Sequence, residues 1–133
     1  MWTWRCPATS PLAQAGPAAE AARLRIEAIA AGQVDAITAD YAKRAELHWV
    51  GGPLDGTYGN GKVREVWTKF GKANGPMQVT IGDVTESVNP KGATVAANLM
   101  FSGKNTIKVR YVLVYREGRL VSEIWQIDPN LAV

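Results

Sequence analysis

Few side chains in this chain of 133 residues can move a proton near neutral pH. His48 is the only imidazole, and general-base catalysis is its natural role, because its ordinary pKa lies closest to neutrality. Asp128 and Asp55 are the carboxylates placed to act as acid or base. Tyr58 could donate through its hydroxyl from a glycine-rich stretch read as a loop, where binding groups concentrate. Each of these also has a plainer role. Strict alternation about Trp49 puts His48 on the opposite face of its strand, which suits a surface or interface histidine. Asp55 can shape a turn, and Asp128 can end a strand ahead of Pro129. Arg110 suits either an anionic ligand group or a subunit contact. Trp49, Trp67, Tyr111 and Trp125 are large rings that either line a ligand box or fill a core.

Several chemistries lack their parts. One histidine and one cysteine, Cys6, do not supply the usual donor set for zinc. No cofactor is expected, and a single cysteine forms no intrachain disulfide. No serine–histidine–acid set and no pair of acids suited to glycoside hydrolysis stands out. Gly56–Lys62 has the spacing of a phosphate-binding loop. However, Val63 stands where a magnesium-holding Ser or Thr is required, and no parallel sheet follows. It reads as a glycine-rich loop leading into a helix.

The elements that must position these residues fall into two halves. Ala18–Ala31 is alanine-rich with helical spacing, and Gly32 closes it. Val34–Ala42 reads as a second helix carrying Val34, Ile37 and Tyr41 on one stripe. Ala45–Val50 alternates as a strand, with Ala45, Leu47 and Trp49 on one face. After the glycine-rich stretch, Lys62–Ala73 is a third helix with Val63, Val66, Trp67 and Phe70 on its buried stripe. Four strands then follow closely: Met77–Val88, Ala93–Ser102, Thr106–Arg116 and Leu120–Asp128. Asn89–Gly92, Gly103–Asn105 and Glu117–Gly118 are the tight connections between them. Helices followed by a meander imply an α+β fold in which one strongly curved, mainly antiparallel sheet wraps the helices around a hollow. In Thr106–Arg116, Ile107, Val109, Tyr111, Leu113 and Tyr115 share the inner face. Val112 and Val114 on the other face suggest a contact with a second subunit.

Composition narrows the class. The formal charge is +3, with 47% hydrophobic and 20% charged residues, ordinary for a single globular domain. The basic residues are scattered, so no nucleic-acid surface is indicated, and no apolar run is long enough to span a membrane. Residues 1–17 read as a disordered leader, with 18–133 as one domain. Ala13-Gln14-Ala15 resembles a signal cleavage box, but no apolar run precedes it. A cytoplasmic protein is therefore expected, with export as the alternative.

The order of elements, the Gly52-Pro53-Leu54-Asp55-Gly56-Thr57-Tyr58 stretch and the ending Ser122-Glu123-Ile124-Trp125-Gln126-Ile127-Asp128 resemble the nuclear transport factor 2-like superfamily, especially its SnoaL-like branch. The resemblance covers about residues 18–128. It implies a cone-shaped α+β roll with a pocket between sheet and helices, and a homodimer through the outer sheet face. It also implies relatives that include ketosteroid isomerases, polyketide cyclases, epoxide hydrolases and binding modules, so fold alone does not assign activity. The isomerases' aspartate base falls at Trp49, and their buried acid near Tyr111 or Val112. The hydrolases' Arg-x-Asp becomes Arg110-Tyr111-Val112. The expectation is therefore a pocket for a small, largely apolar molecule, cyclic ones included, with Trp49, Tyr58, Trp67, Tyr111 and Trp125 as binding residues. The alternative is an enzyme of the same branch with a reassigned acid or base, drawn from Asp128, Tyr58 and His48. A third reading is an interaction module whose cone is filled by large side chains.

Overall fold

The computed structural model describes residues 16–133. The leader and the signal-like box fall mainly on residues 1–15 and lie outside the described residues. The chain order is α1 (Pro17–Ala31), α2 (Val34–Ala39), β1 (Tyr41–Val50), β2 (Gly56–Gly59), α3 (Val63–Asn74), β3 (Gln78–Asn89), β4 (Gly92–Ser102), β5 (Thr106–Arg116) and β6 (Arg119–Ile127). One six-stranded sheet has the order β2-β1-β6-β5-β4-β3. All neighbours are antiparallel except β1 and β6, which run parallel. The helices pack on its inner face.

Pro17 opens α1. Its missing N–H costs nothing in the first turn, where no intrahelical acceptor exists. The free N–H groups of that turn are met from across the fold, where Glu86 on β3 accepts from Gly16 N at 3.2 Å and Ala19 N at 2.9 Å. A carboxylate there also complements the positive end of the helix dipole. At the other end Gly32 takes φ 74°, closing the helix as its position in the sequence suggests.

Two expected boundaries move. The second helix stops at Ala39, and Tyr41 belongs to β1 instead of the helical stripe. The end of the sheet captures this segment: Leu120 N donates to Asp40 O at 2.9 Å, and Arg119 Nη2 donates to Tyr41 O at 2.8 Å. Part of the glycine-rich stretch is strand rather than loop, because Gly56–Gly59 pairs with β1 from Trp49↔Gly56 to Glu46↔Gly59. That places Tyr58 on an edge strand.

The four late strands lie within a residue or two of their expected bounds. Alternation on β5 also holds, with Val109, Tyr111, Leu113 and Tyr115 buried on the inner face. The registers align inner-face side chains in rows. One row runs Trp49–Trp125–Tyr111–Ala97, and the next runs Leu47–Glu123–Leu113–Val95. Against the first row α3 lays Trp67 and Phe70, and against the second α1 lays Arg25 and Ile26. On the outer face a parallel row runs His48–Ile124–Val112–Ala96.

Candidate functional site

A carboxylate in an apolar row needs partners. Glu123 sits between Leu47 and Leu113 in its row and is fully buried. Arg25, reaching in from α1, places Nη2 3.3 Å from its carboxylate. The Tyr41 hydroxyl donates to Glu123 Oε1 and the Tyr111 hydroxyl to Oε2. Trp67 Nε1 donates to the Tyr41 hydroxyl at 2.8 Å, and Arg25 Nε donates to the Tyr111 hydroxyl at 2.9 Å. Arg25 Nη1 meets Ile37 O at 2.5 Å and Asp40 Oδ2 at 3.3 Å. The guanidinium also lies 4.7 Å from the Tyr41 ring centroid, a cation–π distance. Every polar group of the cluster therefore has a partner, which is the condition for burying charge without large cost.

The electrostatics follow from this enclosure. Burial pushes the Tyr41 and Tyr111 hydroxyls well above the usual phenol range; the Glu123 charge adds to the rise and Arg25 opposes it. Burial also raises Tyr115. For Arg25, burial disfavours the charged form, but Glu123, Tyr111 and Tyr41 together outweigh it and the guanidinium stays protonated. The consequence is a stability limit at alkaline pH. In the unfolded chain these tyrosines ionise near pH ~10, while the folded chain keeps their protons. Stability from this source is thus complete below about pH 10 and is lost as pH rises from there toward the folded values. Phenolate absorbance of these three tyrosines should rise only together with loss of the fold. Ionisation in a chain that stays folded would contradict the assignment.

Next to this polar cluster the inner cone is filled with rings. Trp125, fully buried, has ring centroids of Trp49, Tyr111, Trp67, Phe70 and Phe101 at 5.0–5.4 Å. The Nε1 atoms of Trp49 and Trp125 have no acceptor among the described residues. A buried donor without a partner costs about 1–3 kcal/mol.

The packing ends at the mouth of the cone. There a cavity of about 570 Å³ opens, within the size range of small-molecule sites. Pro53 and Leu54 form one wall, and Phe70, Ala73 and Asn74 from α3 form a second. The start of β5, with Ile107, and the end of β6, with Ile127, close the rest. Trp49 is the floor on the side of the ring stack. The Pro53–Leu54 wall is held by the Tyr58 hydroxyl, which donates to Leu54 O at 2.6 Å, and by Asp55 Oδ1, which accepts from Gly51 N at 2.7 Å.

The residues singled out from the sequence therefore separate. Trp49 lines the cavity. Trp67, Tyr111 and Trp125 are 0–1% exposed and lie deeper, in the ring stack and the polar cluster. Tyr58 and Asp55 shape a wall. Asp128 is half-buried beside the mouth, with Oδ1 accepting from Asn130 N at 3.1 Å, a turn-forming contact. His48 is on the outer face, where Nδ1 is 3.4 Å from Thr57 Oγ1 and Nε2 is 3.8 Å from Glu46. Arg110 is exposed on that face opposite Asn98. Among the described residues no group of acids, histidines and cysteines could hold a metal ion, and no helix is long and apolar enough to cross a membrane.

Arg25 and Glu123 are the pair that spacing could have revealed. Arg25 falls on the stripe Ala18, Ala22, Ile29, and Glu123 alternates inward with Trp125, so each is a charge at a core position.

Comparison with solved structures agrees with this architecture. An NTF2-like protein of unknown function from Pseudomonas aeruginosa superposes with a TM-score of 0.63 at 18% identity, over 82% of this chain and 94% of that one. An NTF2-like protein of unknown function from Pseudomonas putida gives 0.68 at 17% identity, over 80% and 81%. SalBIII, an epoxide hydrolase/cyclase-like enzyme with a role in pyran ring formation in the polyether salinomycin, gives 0.58 at 17% identity, over 83% and 89%. A search among curated proteins finds no match. The fold is the NTF2-like α+β cone. The profile of the SnoaL-like domain matches residues 22–122, and the chain belongs to that family.

Proposed function

We propose that this SnoaL-like domain holds a small, largely apolar molecule, cyclic skeletons included, in the mouth of its cone. The observation that carries this reading is the cavity of about 570 Å³ walled by Leu54, Phe70, Ile107 and Ile127. Its surroundings are built from fixed elements, which favours a preformed site. A thermal-shift screen of steroids, terpenoids and aromatic polyketides tests it. A ligand present at about a hundred times its Kd should stabilise the fold by about 2.7 kcal/mol. Ala73→Trp, at an exposed position of the α3 wall, should fill the space and abolish that gain. Stabilisation that survives Ala73→Trp, or none from any compound, would count against the site.

The enzyme alternative draws less support. His48 is turned to the outer face and Asp128 is occupied in a turn, while Glu123 is sealed behind the ring stack. The filled-cone reading fits the interior but not the open mouth.

A homodimer through the outer sheet face is part of the same proposal. Ile124, 39% exposed, stands beside Val112 and Ala96 in one row, with Val114 adjacent, a patch suited to a self-complementary contact. Sedimentation should give twice the monomer mass, reduced to the monomer by Val112→Lys. A native chain that sediments as a monomer would contradict it.

A further inference from the structure

We propose that the molecule held at the mouth is an amphiphile with one carboxylate, its apolar body within the cavity and its carboxylate at the start of β5. This deepens the reading of the cavity as a ligand site and rests on it. The walls are unequal. Leu54, Phe70 and Ile127 bring hydrocarbon side chains, whereas Asn105, Thr106 and Lys108 stand together where β5 opens, with Lys69 on the α3 wall. No Asp or Glu is among the described residues that line the cavity. A carboxylate therefore meets cations there, and an amine meets no counter-charge.

Two of these side chains are uncommitted, and a third carries charge without an ionic partner. No hydrogen bond among the described residues engages the Asn105 amide group or the Thr106 hydroxyl, and both residues are exposed at the rim. Lys108 is half-buried, and its Nζ donates to Leu131 O at 3.0 Å. That acceptor is a neutral carbonyl, so it takes one of three ammonium donors and leaves the charge uncompensated. Asp128 is joined to the same residue through its backbone, with its N donating to Lys108 O at 3.0 Å. Its carboxylate makes no ion pair with Lys108 among the described residues and turns Oδ1 to Asn130 N instead. Lys69 is 3.3 Å from Glu65, an exposed pair on successive turns of α3, and such pairs are weak. Hydrogen bonds between an ammonium and a carboxylate are about twice as strong as those between neutral groups. The Asn105 amide and the Thr106 hydroxyl are free to donate to the same head group. The class indicated is therefore apolar monocarboxylic acids, ahead of their neutral analogues and ahead of amines.

Naphthylacetic acid and naphthylacetamide share a ring system and carry head groups of similar size that differ in charge. An NMR titration of the full chain, labelled at the backbone nitrogens, reads the affinity and the position of each at neutral pH and low salt. The acid is expected to bind about tenfold more tightly than the amide, moving the backbone signals of Phe70, Ile107 and Lys108. In Lys108→Met the ratio of the two affinities should fall to about one. Lys91→Met removes the same charge from the turn between β3 and β4, away from the cavity, and should leave the ratio as it is. Should Lys108→Met fail to fold, salt decides in the native chain, where the acid's advantage should shrink as ionic strength rises. Equal affinities would overturn the carboxylate assignment while leaving the cavity as a ligand site. So would an advantage that survives Lys108→Met, ignores salt, or is lost equally in Lys91→Met. Failure of both compounds to perturb Phe70 or Ile107 would overturn the ligand site, and this inference with it.

Discussion

Arg25→Met is expected to destabilise the protein by about 3–5 kcal/mol, the usual cost of removing one member of a buried ion pair. Glu123 would keep only the Tyr41 and Tyr111 hydroxyls as partners in a position with no access to water. Glu123→Gln should cost less, because Arg25 still reaches Ile37 O and the half-exposed Asp40. The double variant Arg25→Met/Glu123→Gln should be less destabilised than the sum of the two, since it leaves no uncompensated charge in the core. Urea unfolding of the four proteins at neutral pH measures this cycle. Additive losses would mean that the pair is not coupled.

Trp125→Ala should be comparably severe, at about 3–5 kcal/mol, because the ring is the centre of the stack that joins β6, α3 and β1. Trp125→Phe should cost only about 1–2 kcal/mol. It gives up part of the ring volume but also removes an indole N–H that has no acceptor among the described residues. The comparison separates packing from polar satisfaction, since a Phe variant as unstable as the Ala variant would mean that the N–H is bonded. Thermal unfolding of both variants reads the difference.

The sheet is legible because period-2 alternation is a local property. In β5 the sequence Ile-Lys-Val-Arg-Tyr-Val-Leu-Val-Tyr assigns the two faces before any partner strand is known. The fate of Tyr41 is not local. Its spacing from Val34 and Ile37 suits a helix, and β6, far away in sequence, draws it into a strand instead. The Gly56–Gly59 strand escapes composition for the same reason: glycine marks loops in general, yet here β1 supplies a ladder.

The site is less legible than the fold. Rings on an inner face can either border a hollow or fill it, and α3 decides between the two. Trp67 and Phe70 press on Trp125 and close the interior, while the shorter side chains at Ala73 and Asn74 leave the mouth open. Trp49 stands at that boundary, with one side on the stack and the other on the cavity. Spacing identifies Trp49, Trp67, Phe70 and Trp125 as inward residues, but it carries no information on how far α3 reaches along the cone.

The central claim is that the open mouth, and not the ring-filled interior, is where a small molecule sits. A crystal structure of the protein grown with the most stabilising compound of the screen tests this directly. The predicted result is ligand density bounded by Trp49, Phe70 and Ile107, with the Arg25–Glu123 pair intact behind the stack. Density lodged against Glu123 with the rings displaced, or a ligand bound on the outer face, would contradict it.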